Sequence, residues 1–435
     1  MHPMVNEYLN SIGWMTRPEE MASVEEAFIR DMRAGLAGSP EATMPMLPAY
    51  IPIGQSLTEE RKVIVMDAGG TNLRVSVVHI QPGKAAEVLY FQKQPMPGSQ
   101  KPLSKAEFFD QLAQAVEPVA GECDAIGFCF SFPCKIRQDL DGEILYLDKE
   151  IVVHDIEGAL VGKELLAALE KRGAKHDHHV VILNDTVATL LGALVEHPVE
   201  CYSGFIGMIL GTGMNTCYSE KNSRILKDSF LCARDGNSIV NMEAGAFRAF
   251  PRTKADELAD RTAKMSGSHQ LEKMISGAYQ GKVTQALLQC AAEDGVLSPG
   301  FGDRLAALSK EISSSDLSAF LMEPTKAGVI RSLADSDEEL ARMFVLADAV
   351  VERAALLVTA NLTAIMKATE TGSDPLRPVC IAVEGTTYMK NIYWRQRIYA
   401  HLIQDVQRQN RLYARMVSMT DANLVGSAVA AALNG

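Results

Sequence analysis

Four carboxylates set among glycines and amides carry the chemical promise of this chain: Asp67, Asp185, Glu243 and Glu272. Asp67 heads Asp67-Ala-Gly-Gly-Thr-Asn72, a tight turn between two apolar, β-branched runs of strand length. Gly69 and Gly70 allow the positive φ of a tight hairpin. A turn without Cβ atoms brings backbone N–H groups against phosphate oxygens, and Asp67 with Thr71 can organise a metal ion and its waters. An ordinary hairpin explains the segment as well, until its second copy is seen. In Gly204–Tyr218 an apolar run enters Gly211-Thr212-Gly213 and leaves as another strand. Two such units far apart in the chain suggest a duplicated architecture with facing phosphate loops. Neither is a Walker A loop, and no Gly-x-Gly-x-x-Gly fingerprint follows a strand.

Asn184-Asp185-Thr186 follows a buried strand and opens a helix. Strand ends facing a cleft are where α/β proteins place ligands, and a carboxylate there can take the proton of an attacking hydroxyl. Capping the helix is the other reading of Asp185. Glu243 lies in Asn241-Met-Glu-Ala-Gly-Ala-Phe247 and Glu272 in Leu271-Glu-Lys-Met-Ile-Ser-Gly277. Together with Asn215 they suit a polyhydroxylated ligand; singly, each reads as a solvated or ion-paired group. His176-Asp-His-His179 has no fourth metal ligand nearby.

The elements that must position these groups alternate. Strands at Ala125–Phe132 and Val180–Leu183 interleave with helices at Lys105–Ala120, Glu157–Arg172 and Thr186–Glu196, an α/β pattern. Gly173 is placed as a left-handed cap. From about Ala255 to Gly372 the pattern is helical, ending in one long helix from Asp335 to Glu370, continuous or broken. A strand at Val379–Val383, a further strand near Tyr413–Ser418 and a small-residue helix at Ala422–Leu433 follow. At 435 residues and 47% apolar content the chain can hold two or three cores. A net charge of −12 argues against nucleic-acid or anionic-membrane partners. The eight cysteines show no Cys-x-x-Cys pair, so they read as reduced thiols of a cytoplasmic protein. No signal pattern or membrane-length apolar run is present in the sequence.

Taken in order, these segments resemble the hexokinase family, in the actin-like ATPase and sugar kinase superfamily, from about Ala42 to Tyr388. The residues that carry the resemblance are Met44-Pro-Met-Leu-Pro48, Asp67-Ala-Gly-Gly-Thr-Asn-Leu-Arg74, Ser131-Phe-Pro133, Asn184-Asp-Thr-Val187, Gly211-Thr-Gly-Met-Asn215, the two glutamate segments and Gly385-Thr386. The resemblance implies a two-lobed actin-like (ribonuclease H-like) α/β fold with an active-site cleft between a small and a large domain. The small domain would be residues 64–184 plus 422–435, and the large one 1–63 plus 185–421. It implies ATP- and Mg2+-dependent phosphorylation of the 6-hydroxyl of a hexose, glucose first among them. Asp185 would be the general base, with Lys149 beside it. Ser131, Phe132, Pro133, Lys149, Asn184, Asn215, Glu243 and Glu272 would bind the sugar. Asp67 would reach Mg2+ through water, and Gly69, Gly70, Thr71, Asn72, Arg74, Gly211, Thr212, Gly213, Gly385 and Thr386 would line the nucleotide phosphates. Asp148, Glu150, Ala244 and Glu384 depart from the family's pattern and bear on sugar and donor preference. The alternatives are a kinase for mannose, fructose or an N-acylhexosamine, and a sugar-responsive binding protein with weak catalysis.

Overall fold

The computed structural model describes residues 3–54, 57–70, 72–82, 84–147, 151–174, 178–263, 265–418 and 421–434. Thr71, Asp148, Lys149, Glu150 and His176, named above, lie outside the described residues.

One sheet grows directly from the first glycine turn. Strands β2 (Arg61–Gly69) and β3 (Asn72–Ile80) pair antiparallel, with Asp67 opposite Arg74 and Gly69 opposite Asn72. These follow the extended β1 (Leu47–Pro52). With β4 (Glu87–Pro95), β5 (Ala125–Phe130) and β6 (His179–Leu183) they form a five-stranded sheet in the order β6-β5-β2-β3-β4. Every residue of β5 is buried, as an uninterrupted apolar run requires when both faces of a strand are covered. One face packs on helices α1 (Lys105–Val116) and α2 (Val161–Lys171). Gly173 ends α2 at φ +88°, as its position predicts.

Helix α3 (Asp185–Glu196) leaves β6 and runs to the second sheet. There β7 (Gly204–Leu210) and β8 (Met214–Lys221) make the second hairpin, Leu210 opposite Met214. With β9 (Asn237–Asn241), β10 (Val379–Glu384) and β11 (Ala414–Val417) the order is β1-β9-β8-β7-β10-β11. Between β9 and β10 lie the predicted helices, among them α4 (Lys254–Arg261), α5 (Gln270–Ile275), α6 (Gln280–Glu293) and α7 (Asp337–Thr369). The last is one continuous helix of 33 residues, capped by the Ser336 hydroxyl on the Glu339 N–H.

The terminal helix α8 (Ala422–Asn434) returns to the first sheet and crosses α3. The crossing is made close by two glycines. A Cβ on Gly426 would stand 1.8 Å from the Ala188 carbonyl oxygen, and one on Gly192 would stand 2.5 Å from that of Ala422. α8 thus belongs with the first sheet although it closes the chain. No helix among the described residues is long and apolar enough to cross a membrane.

Candidate active site

Asp185 is the first residue of α3, but it is not the cap. Asn184 holds the cap position in extended backbone (φ −76°, ψ 155°), and its Oδ1 accepts the Thr186 N–H at 2.9 Å. The capping reading of Asp185 is therefore corrected: the amide one residue earlier has already satisfied that donor. Asp185 is left half-buried at the carboxyl end of β6, with the Thr186 hydroxyl donating to its Oδ1 at 3.2 Å.

Asp67 stands at the end of β2, only 3% exposed, and Arg74 Nη1 donates to its Oδ2 at 2.6 Å. Burial raises its carboxyl above the usual range. Arg74 works against that rise, and the charge of Asp185 adds to it. Ser131 is tied to the same strand end, its N–H donating to Ala68 O at 3.1 Å. A Cβ on Gly69 would lie 3.5 Å from Asp67 Oδ1 and 3.9 Å from Ser131 Oγ. Gly70 takes φ +63° with open space where a side chain would point, the geometry asked of a phosphate-facing turn. Asn72 starts β3 directly across from Gly69.

The residues expected on the sugar side form a chain of amides and carboxylates. Asn215 Nδ2 donates to Asn241 Oδ1 at 2.8 Å, and Asn241 Nδ2 donates to Glu243 Oε1 at 2.8 Å. Asn215 Oδ1 in turn accepts the N–H groups of Thr216 and Ala244 at 2.7 and 3.2 Å. Glu243 is held at φ +54°, a left-handed conformation uncommon outside glycine, which turns the chain sharply after β9. Backbone strain of this kind persists where surrounding bonds over-determine it. Asn241, 6% exposed, was not singled out in the sequence. Its place two residues before Glu243 was the available signal.

Glu272 comes from α5 and closes on the second glycine turn. Its Oε2 accepts the Met214 N–H at 3.1 Å, and a Cβ on Gly213 would stand 2.7 Å from that oxygen. α5 is anchored one residue later: Lys273, 2% exposed, donates to Asp260 Oδ1 at 2.5 Å. Burial alone would raise the Asp260 carboxyl. Hydrogen bonds from Lys273, Gly267, Gln270 and Ser266 overcome this and bring it down to about 2.

Phe132, Asn184, Asn241 and Glu243 line one small cavity, together with Leu47, Pro48 and Cys134. The Ser131-Phe132-Pro133 segment and the Glu243 turn therefore face a common space. Pro133 accepts the Leu145 N–H at 3.0 Å and steadies that segment.

The second glycine turn is braced from behind. Gly211 N donates to Gly213 O at 3.0 Å, while Gly211 O accepts from Gly277 N at 2.9 Å and from Thr387 Oγ1 at 2.7 Å. A Cβ on Gly385 would lie 2.4 Å from Leu210 O, so the 385 turn fits only as glycine. Thr387 makes this contact, whereas Thr386 and Thr212 are exposed at the turn. The described residues hold no group of three metal-ligating side chains, and His178 and His179 make no such group.

The fit to known proteins follows this geometry. Two family models described as hexokinase match residues 11–195 and 205–433. Hexokinase-3 of Oryza sativa subsp. japonica is 28% identical over 97% of this chain and 89% of its own length. Hexokinase-1 of Schizosaccharomyces pombe is 31% identical over 71% of this chain and 65% of its own. The solved hexokinase of Schistosoma mansoni complexed with glucose superposes with a TM-score of 0.77 at 22% identity, covering 99% of this chain and 98% of that one. The fold is thus the two-lobed actin-like sugar kinase fold, and the chain belongs to the hexokinase family of sugar-phosphorylating enzymes.

Proposed function

We propose that this enzyme transfers the γ-phosphoryl group of ATP to the 6-hydroxyl of glucose, with Asp185 as general base. The observation that carries the reading is that Asn184, not Asp185, caps α3. The Asp185 carboxylate is thereby left at the strand end, near enough to Asp67 for its charge to act there. A positioned base contributes typically about 10²- to 10⁴-fold. The Asn215–Asn241–Glu243 chain and Glu272 supply the paired acceptors and donors that a ring of hydroxyls needs. Asn184 and Ser131 complete the sugar side.

Gly70, Gly211 and Gly213 present backbone without a Cβ toward the nucleotide phosphates, Thr212 adds an exposed hydroxyl, and Arg74 adds positive charge beside Asp67. The donor set suits Mg2+: a hard cation prefers carboxylate oxygen and water, and Asp67 offers the carboxylate. When bound, Mg2+ would neutralise charge developing on the phosphoryl oxygens. The chain's own residues do the rest. They align the hydroxyl, accept its proton at the Asp185 carboxylate and keep water out, since phosphoryl transfer is chiefly positioning and charge stabilisation.

We assign residues 64–184 plus 422–435 to a small lobe and 1–63 plus 185–421 to a large one. Closure of the two on sugar would exclude water from the cleft. Mg-ATP turnover across glucose, mannose, fructose and N-acetylhexosamines tests the assignment. Highest kcat/KM on glucose is expected; sugar binding without transfer to any of them would make the protein a sensor instead.

A further inference from the structure

Glu384 closes β10 at the point where both sheets meet α3, and it does so through a ring of hydrogen bonds. Thr189 Oγ1, on a residue only 1% exposed, donates to Glu384 Oε2 at 3.3 Å. Asn423, near the start of α8, sets its amide nitrogen 2.9 Å from Thr189 Oγ1, 3.1 Å from Glu384 Oε2 and 3.0 Å from the Asp185 carbonyl oxygen. The nitrogen faces this way because an amide oxygen there would meet the Asp185 carbonyl oxygen with no proton between them. Thr189 lies one helical turn beyond Asp185, so the ring grips α3 at both ends of its first turn.

The surroundings make Glu384 costly as a merely structural group. The described charges that act on it most, from Asp185 on α3, Asp67 on β2 and Asp421 before α8, share its sign. Burial among them pushes its carboxyl up to about 7. A half-buried carboxyl with no ion-pair partner among the described residues points to function, and here its oxygen is spent on Thr189 and Asn423.

We propose that Glu384 is a positioning residue for the transfer reaction: through Thr189 and Asn423 it fixes the first turn of α3, and so the Asp185 carboxylate, against the sheet that carries the second glycine turn. The inference rests on Asp185 being the base. The ring locks three elements together: β10 of one sheet, α8 packed on the other, and α3 between them. An acceptor oxygen at the reach of Glu384 is what the ring needs, with or without a proton on the carboxyl.

Four variants test it: Glu384→Ala, Glu384→Gln, Asn423→Ala and the double Glu384→Ala/Asn423→Ala, with Asp185→Asn as reference. Steady-state kinetics and glucose calorimetry are the readouts. Glu384→Ala should lower kcat about 10- to 100-fold, the cost of a misplaced reacting group, with glucose affinity kept within about twofold. Glu384→Gln retains the acceptor and should stay within about threefold of the parent kcat. Asn423→Ala should match the loss of Glu384→Ala, and the double variant should be no worse than either. Parent-like kcat in Glu384→Ala overturns the proposal. So do equal damage in Gln and Ala, or losses that multiply in the double variant. Should Glu384→Ala bind no glucose, Asn423→Ala and Glu384→Gln decide alone: a full kcat in Asn423→Ala, or a damaged one in Glu384→Gln, sinks it. Failure of the underlying reading is distinguishable: Asp185→Asn would then keep its turnover.

Discussion

The role proposed for Asp185 depends on its neighbour, since Asn184 takes the helix cap and leaves the Asp185 carboxylate uncommitted to it. Asn241 works in the same indirect way on the sugar side, joining Asn215 to Glu243. Removing it by Asn241→Ala leaves the Glu243 carboxylate without a donor that helped aim it. Hydrogen bonds to charged groups are worth about 1.5–3 kcal/mol, so KM for glucose should rise roughly 10- to 100-fold. kcat should fall less; a glucose titration of initial rates reads both. An unchanged KM would show that Glu243 is aimed by other contacts. The carboxylates and glycine turns were legible in the sequence because their chemistry is local. Asn241 and Thr387 were not, because their significance arises only when β9 meets β8 and when the 385 turn meets Gly211. Asp185's availability was undecidable from the sequence, since Asn and Asp compete equally for a cap.

Strands and helices were legible wherever apolar residues followed a clear period. β5 and α7 are examples, one fully buried and the other buried along one stripe and much of its second half. The stretch Leu402–Gln409 was not: it winds as a π-helix, with hydrogen bonds one residue wider than α, and no sequence period announces that. The α3–α8 crossing escaped notice as well, because a glycine reads locally as a breaker rather than as a contact. Here Gly426 is a contact. Gly426→Ala would drive a methyl into the Ala188 carbonyl and force the helices apart. Overpacking of this kind costs typically 1–3 kcal/mol, so urea unfolding should show about that loss. Activity should suffer too, since α3 carries Asp185 and α8 carries Asn423. A variant as stable and as active as the parent would mean that the crossing relaxes freely.

At the scale of the molecule, the long helix α7 and the helical segment 392–409 are fastened by ionic bonds around His401. Its Nε2 lies 2.9 Å from Glu352 and its Nδ1 2.7 Å from Asp405. Burial disfavours its charge, but these two carboxylates outweigh that and raise its pKa above the ordinary 6.5. A raised folded-state pKa stabilises fully below the unfolded value and loses that contribution as pH climbs through the folded one. Thermal stability should therefore decline as pH rises above about 6.5, and His401→Gln should flatten that decline. An identical slope in the variant would remove His401 as its cause. The two-sheet architecture was legible from the paired glycine turns, and the family resemblance puts the 422–435 segment with residues 64–184; the glycine contacts by which α8 crosses α3 are a long-range fact of packing. If the two sheets hold a hexose against Asp185, glucose phosphorylation with Mg-ATP by the parent and by Asp185→Ala, beside glucose binding by calorimetry, is the comparison to make first. Turnover at least about 10²-fold lower in the variant, with glucose still bound, is expected. Near-parental turnover in Asp185→Ala would contradict it.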